Sequence, residues 1–106
     1  MTVPFIIEAV VAAVNAGDRE QFLDLFIADG VVDDWGSIYQ GREAIAEWCD
    51  RELIGAEAHF TLLESDQQGD VASMMVDVDG NGFVGPSRFT FTLADDRIER
   101  MRITAD

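Results

Sequence analysis

The 106-residue sequence predicts an α+β domain with its helices ahead of most of its sheet. In the first half, apolar residues recur at helical spacing between the stops Asn15-Ala16-Gly17, Asp29-Gly30 and Gly55. The second half changes to strand-like runs split by SDQQGD, DGNG and ADD. No repeat, linker or low-complexity stretch divides the chain, so residues 1–106 are expected to form one domain.

Thr2 and Pro4 suit a helix start, and Val3, Ile6, Ile7, Val10, Val11 and Val14 follow helical spacing. Asp18 followed by Gln21 resembles a capping box, and Phe22, Leu23, Leu25 and Phe26 predict a second helix up to Asp29-Gly30. Two brief strands, Val31 to Trp35 and Ser37 to Gln40, are expected around Gly36. A third helix then runs from Gly41 to about Leu53. Glu47 and Arg51 lie one turn apart in it, an expected surface pair worth roughly 0.2–0.5 kcal/mol. His59 to Glu64, Val71 to Val78, Phe83 to Leu93 and Ile98 to Thr104 read as strands of an antiparallel meander. Phe89, Phe91 and Leu93 alternate with Arg88, Thr90 and Thr92, which predicts a sheet with one buried face curling over the helices.

Seven Arg and no Lys face 21 acidic residues, a formal charge of −14 that repels phosphate backbones and anionic lipid. Nucleic-acid and membrane partners are therefore not expected. Cys49 is the only cysteine, which excludes an internal disulfide and fits a reducing cytoplasm. The start lacks a basic leader region, and its apolar run is broken by Glu8 and too short to span a bilayer. DVDGNG places Asp77, Asp79, Asn81 and Gly82 at the first positions of a calcium loop, but the twelfth position is Arg88, a cation where calcium needs a carboxylate. A hairpin turn built on Asp-Gly and Asn-Gly is expected there, and no metal or cofactor.

The stretches NAGDREQFLDLFIADGVVDDW, YQGREAI and DRIERMRI, in this order and covering nearly the whole chain, resemble the nuclear transport factor 2-like superfamily, in particular its SnoaL-like branch. The resemblance implies a cystatin-like cone, with three helices packed in a curved, mainly antiparallel sheet around an apolar pocket. It also implies pairing of two copies through the outer sheet face, for which Met74, Val76 and Val78 on one strand face are candidates.

Within that resemblance the acids of VVDDW acquire a meaning. On a strand Val32 and Asp34 share one face while Val31, Asp33 and Trp35 share the other. Asp34 falls where the related ketosteroid isomerase keeps its general-base aspartate, so the resemblance implies a base able to move a proton beside a carbonyl. That enzyme's oxyanion donors have no counterpart: Val10 stands near the tyrosine position, and Arg88 to Phe91 contain no acid. Cyclases of the branch pair an Asp with a His, and Asp34 with His59 is the pair available here, with a structural or surface role as the alternative for His59. Trp35, Tyr39, Trp48 and Phe89 are the candidate ligand-binding residues, Trp48 also fitting plain core packing with Ile45 and Cys49. The expected function is a pocket for an apolar small molecule, with isomerase- or cyclase-type chemistry on a carbonyl compound. The alternative is a non-catalytic binding or dimerisation module on the same scaffold.

Overall fold

In the first helix, α1 (Phe5–Ala16), Pro4 takes the N-cap position and Gly17 ends the helix in the left-handed conformation at φ 67°. The helix buries Ile6, Ile7, Val10, Ala13 and Val14 on one face. The computed structural model describes residues 3–82 and 84–105, so the expected contribution of Thr2 to the helix start lies outside the described residues. Asn15, in the last turn, ties α1 to the sheet: its Nδ2 donates to the Phe60 carbonyl at 2.9 Å, and its Oδ1 accepts from the Phe60 N–H at 2.7 Å.

The second helix, α2 (Arg19–Asp24), is capped by Asp18, whose Oδ1 accepts from the Gln21 N–H at 3.1 Å. It ends well before the expected Asp29-Gly30. Phe26 pairs with Ile98, and the Leu25 carbonyl accepts from the Ile98 N–H at 2.8 Å, so pairing with a distant strand overrides the helical spacing. The first strand, β1 (Phe26–Asp34), is thus longer than the sequence implies, with an irregularity between Phe26 and Val31. Gly30 occupies that kink because a Cβ there would stand 2.9 Å from the Phe26 ring.

A tight turn leads to β2 (Ser37–Gln40), followed by α3 (Arg42–Glu52), β3 (His59–Gln68), β4 (Val71–Asp79), β5 (Gly85–Ala94) and β6 (Arg97–Thr104). The expected strand start at Phe83 lies outside the described residues. The six strands form one sheet in the order β2-β1-β6-β5-β4-β3, antiparallel except for the parallel pair β1 and β6. Register shifts at Leu62/Glu64 and Thr92/Leu93 add bends to β3 and to the β5–β6 ribbon, and bulges of this kind curl a sheet. The result is the cone expected from the sequence, with the helices against the inner face and a core that includes Phe22, Trp48, Phe60, Phe91 and Met101.

DVDGNG joins two strands, β4 and β5, as a hairpin connection, and it docks on the loop after α3. The Asn81 N–H donates to the Ala56 carbonyl at 2.8 Å, and its side-chain amide to Glu57 Oε2 at 2.9 Å. Two expectations are corrected. Met74, Val76 and Val78 are buried in the core of a single copy because their strand face is the concave one, so they offer no surface for pairing. Arg51 turns from Glu47 to Glu52 (3.2 Å) and to the Tyr39 hydroxyl (3.2 Å), with its guanidinium 5.6 Å from the Tyr39 ring centre. Among the described residues no helix is long and apolar enough to cross a membrane.

Candidate functional site

The two aspartates of β1 go separate ways. Asp33 is buried on the outer face, where Oδ1 accepts from the Gly36 N–H at 2.9 Å and Oδ2 from Arg100 Nη2 at 2.9 Å. The Gly36 hydrogen bond, with Arg100 and Arg102 adding to it, holds this carboxyl below its ordinary value against the opposing effect of burial. Asp33 is a structural acid.

Asp34 points the other way, half-buried, into a cavity of about 230 Å³. Its Oδ2 accepts from the Trp48 indole N–H at 3.0 Å, while Oδ1 has no side-chain partner among the described residues. Strand alternation puts Asp34 on the same face as the fully buried Val32, and the cross-strand pairs Asp34–Ile103 and Ile103–Phe89 lay a row across the concave surface. Ile103, Phe89, Phe60, Val78 and Leu53 form the apolar wall. Phe60 and Phe89 meet with ring centres 5.1 Å apart.

Helix α3 supplies the opposite wall. Its buried stripe of Ile45, Trp48 and Cys49 seats Trp48 against Phe22 and Tyr39, each 6.4 Å away between ring centres. Trp48 is therefore both core and cavity wall, and its single N–H is spent on Asp34. Glu52, one turn further on, stands exposed at the rim. Burial pushes the Cys49 thiol up, in keeping with an inert packed side chain.

Trp35 is 61% exposed and borders the mouth of the cavity. Trp35 and Gly36 form a two-residue hairpin loop with φ 56° and 94°, the turn whose twist matches the flanking strands but which normally takes Asn or Gly first. A bulky residue in the left-handed region is an outlier. It is held by the Asp33–Gly36 hydrogen bond and by its own N–H donating to the Ile103 carbonyl at 3.3 Å.

Of the residues selected in the sequence, Asp34, Trp35, Trp48 and Phe89 come together at this cavity. Tyr39 stands behind Trp48, outside the lining, and accepts from Arg51. His59 opens β3 as an exposed residue beside Val14, Asn15 and Gly17, at a separate surface hollow, so the Asp34 and His59 pair is not assembled. Residue spacing pointed to neither Glu52 nor Ser87, the latter 2% exposed and part of the cavity lining. Strand register finds Ser87, since it lies two places before Phe89 on the same face of β5.

The family model described as the SnoaL-like domain matches residues 7–101. The chain belongs to the SnoaL-like family. It is similar, at 30% identity and a TM-score of 0.83, to a candidate polyketide cyclase from Sinorhizobium meliloti, with 96% of this chain and 95% of that one covered. Rv0760c from Mycobacterium tuberculosis, in complex with estradiol-17β-hemisuccinate, shares the fold at 22% identity and a TM-score of 0.79, with 95% and 91% covered. The epoxide hydrolase/cyclase-like SalBIII, of pyran ring formation in the polyether salinomycin, does so at 19% identity and a TM-score of 0.84, with 95% and 88% covered. No curated protein matches the chain in sequence. Proteins of this fold thus include a candidate cyclase, a complex with a steroid conjugate and an epoxide hydrolase/cyclase-like protein, so the scaffold alone does not fix a reaction.

Proposed function

We propose that this SnoaL-like protein binds a small apolar carbonyl compound and acts on it as an isomerase- or cyclase-type proton-transfer enzyme, with Asp34 as general base. The observation that carries the proposal is a half-buried carboxylate at an apolar cavity, fixed at one oxygen by Trp48 with the other oxygen unpartnered among the described residues. Fixing Oδ2 sets the plane of the carboxylate, so its free oxygen meets a bound molecule in one orientation, which general-base catalysis requires before anything else.

In the proposed step the C–H bond beside the carbonyl breaks, the proton passes to Asp34 Oδ1, and the electron pair moves into the carbonyl oxygen. Return of the proton from Asp34 to another carbon completes an isomerisation; alternatively the carbanion attacks a second carbonyl, the new C–C bond forms as that C=O opens to an alkoxide, and the alkoxide takes the proton back from Asp34. The chain's own contribution is the base, the apolar walls that position the ligand, and the exclusion of water by Phe60, Phe89 and Trp48. The steroid conjugate bound by Rv0760c and the designed 17-OHP binder of similar fold support an apolar ligand class. The cavity of about 230 Å³ is below the roughly 300–1,000 Å³ that holds drug-sized ligands, which favours a molecule of one or two rings.

Exchange of α-hydrogens tests this without knowledge of the natural substrate. In D₂O, the protein should speed deuterium incorporation at C2 of 1-tetralone, followed by proton NMR, and Asp34→Asn should lower the accelerated rate by about 10²–10⁴-fold. Equal rates for the two proteins would remove Asp34 as base. Binding without any exchange above buffer would favour the non-catalytic module on the same scaffold.

A further inference from the structure

Apart from Asp34, Trp48 and the rim residues, one polar group sits on the cavity wall: the hydroxyl of Ser87. Ser87 is 2% exposed and lines the cavity, and its hydroxyl has no side-chain hydrogen bond among the described residues. A hydroxyl that no protein group engages contributes little to folding, so replacing it by a methyl group should be close to neutral for stability. Its place on the lining leaves it available to a ligand.

Register gives the distance this ligand must bridge. Asp34 pairs with Ile103, Ile103 with Phe89, and Ser87 lies two residues before Phe89. Strand spacing of about 4.8 Å and a rise of about 3.4 Å per residue put the two Cα atoms roughly 12 Å apart on the concave face. Two short side chains and hydrogen bonds of about 2.8 Å take up part of that span and leave room for a small ketone between them. Building on the base reading of Asp34, we propose that Ser87 is the hydrogen-bond donor to the ligand's carbonyl oxygen. The ligand class is thereby a compact two-ended molecule, with an oxygen acceptor at the Ser87 end and its acidic C–H toward Asp34.

The two tryptophans of the chain, Trp35 and Trp48, both border the cavity, so intrinsic fluorescence reports binding there. The probes are 1-tetralone and tetralin, which differ by the carbonyl. The wild-type protein should bind tetralone more tightly; Ser87→Ala should weaken tetralone by about three- to tenfold, leave tetralin unchanged, and keep Tm close to its wild-type value. An unchanged tetralone to tetralin ratio in Ser87→Ala, or a fall in Tm with equal weakening of both probes, overturns the assignment and leaves the Asp34 reading untouched. Loss of the ratio in Ser87→Ala together with tetralone exchange at the buffer rate keeps Ser87 as the donor and removes only the base. No fluorescence response to either probe overturns both.

Discussion

Asp33 and Asp34 are neighbours on one strand, yet the outer face of β1 supplies a donor to each oxygen of its acid while the inner face leaves one acid oxygen open. Asp33 receives a backbone N–H and a guanidinium, and its pull below the ordinary carboxylate range follows from those donors. Asp34 receives one indole N–H in an apolar wall. The difference teaches that in an acidic chain the informative carboxylate is the one with capacity left over. Charge alone does not separate the two; the pleat of the strand does.

Trp48 gives the largest expected effect, because it belongs to both the core and the inner-face site. Trp48→Ala should cost about 3–5 kcal/mol by urea denaturation, since it empties a buried volume against Phe22. Trp48→Phe keeps most of that volume and removes the N–H, so it should retain most of the stability while slowing tetralone exchange. Exchange undiminished in Trp48→Phe would mean that the carboxylate needs no fixing, and the two faces would differ less than their geometry implies.

The outer face is tested by acid. Because folded Asp33 is more acidic than its unfolded counterpart at about 3.9, its ionised form adds stability at and above that pH, and the contribution is lost as pH falls through the folded value. Asp33→Asn should be less stable at neutral pH and lose less stability on acidification below about pH 4, as read by urea midpoints at several pH values. Parallel curves for the two proteins would show that its hydrogen bonds merely replace water.

The sequence carried most of the scaffold, and physical reasons mark where it stopped. Asn15 to Gly17, Asp18 and the Phe89 to Leu93 alternation are local signals, and each produced the element expected of it. Helix α2 was overextended because Leu25 and Phe26 satisfy helical spacing, while their actual partner, Ile98, is more than seventy residues away. The site divides similarly. Period-two alternation placed Asp34 opposite Asp33 in advance, but Trp48 bonding to Asp34 joins a helix to a strand, and Ser87 enters through the registers of β5 and β6. His59 followed from residue type alone, and the fold leaves it beside the C-terminal end of α1, away from the cavity lining.

Between the two faces lies Trp35, and it offers the smallest and most discriminating change. The turn asks for positive φ at both loop residues, and Asn-Gly meets that demand at little cost, whereas a bulky L-residue in the left-handed region costs about 1–2 kcal/mol. Trp35→Asn should therefore raise stability by about 1 kcal/mol while it strips the aromatic wall from the cavity mouth and weakens tetralone binding. Stability gained with binding intact would mean that the strained turn serves nothing at the site. Stability lost would mean that the exposed ring packs more favourably than its backbone is strained. The expected pairing of higher stability with weaker binding would place the strain of the outer loop in the service of the inner cavity.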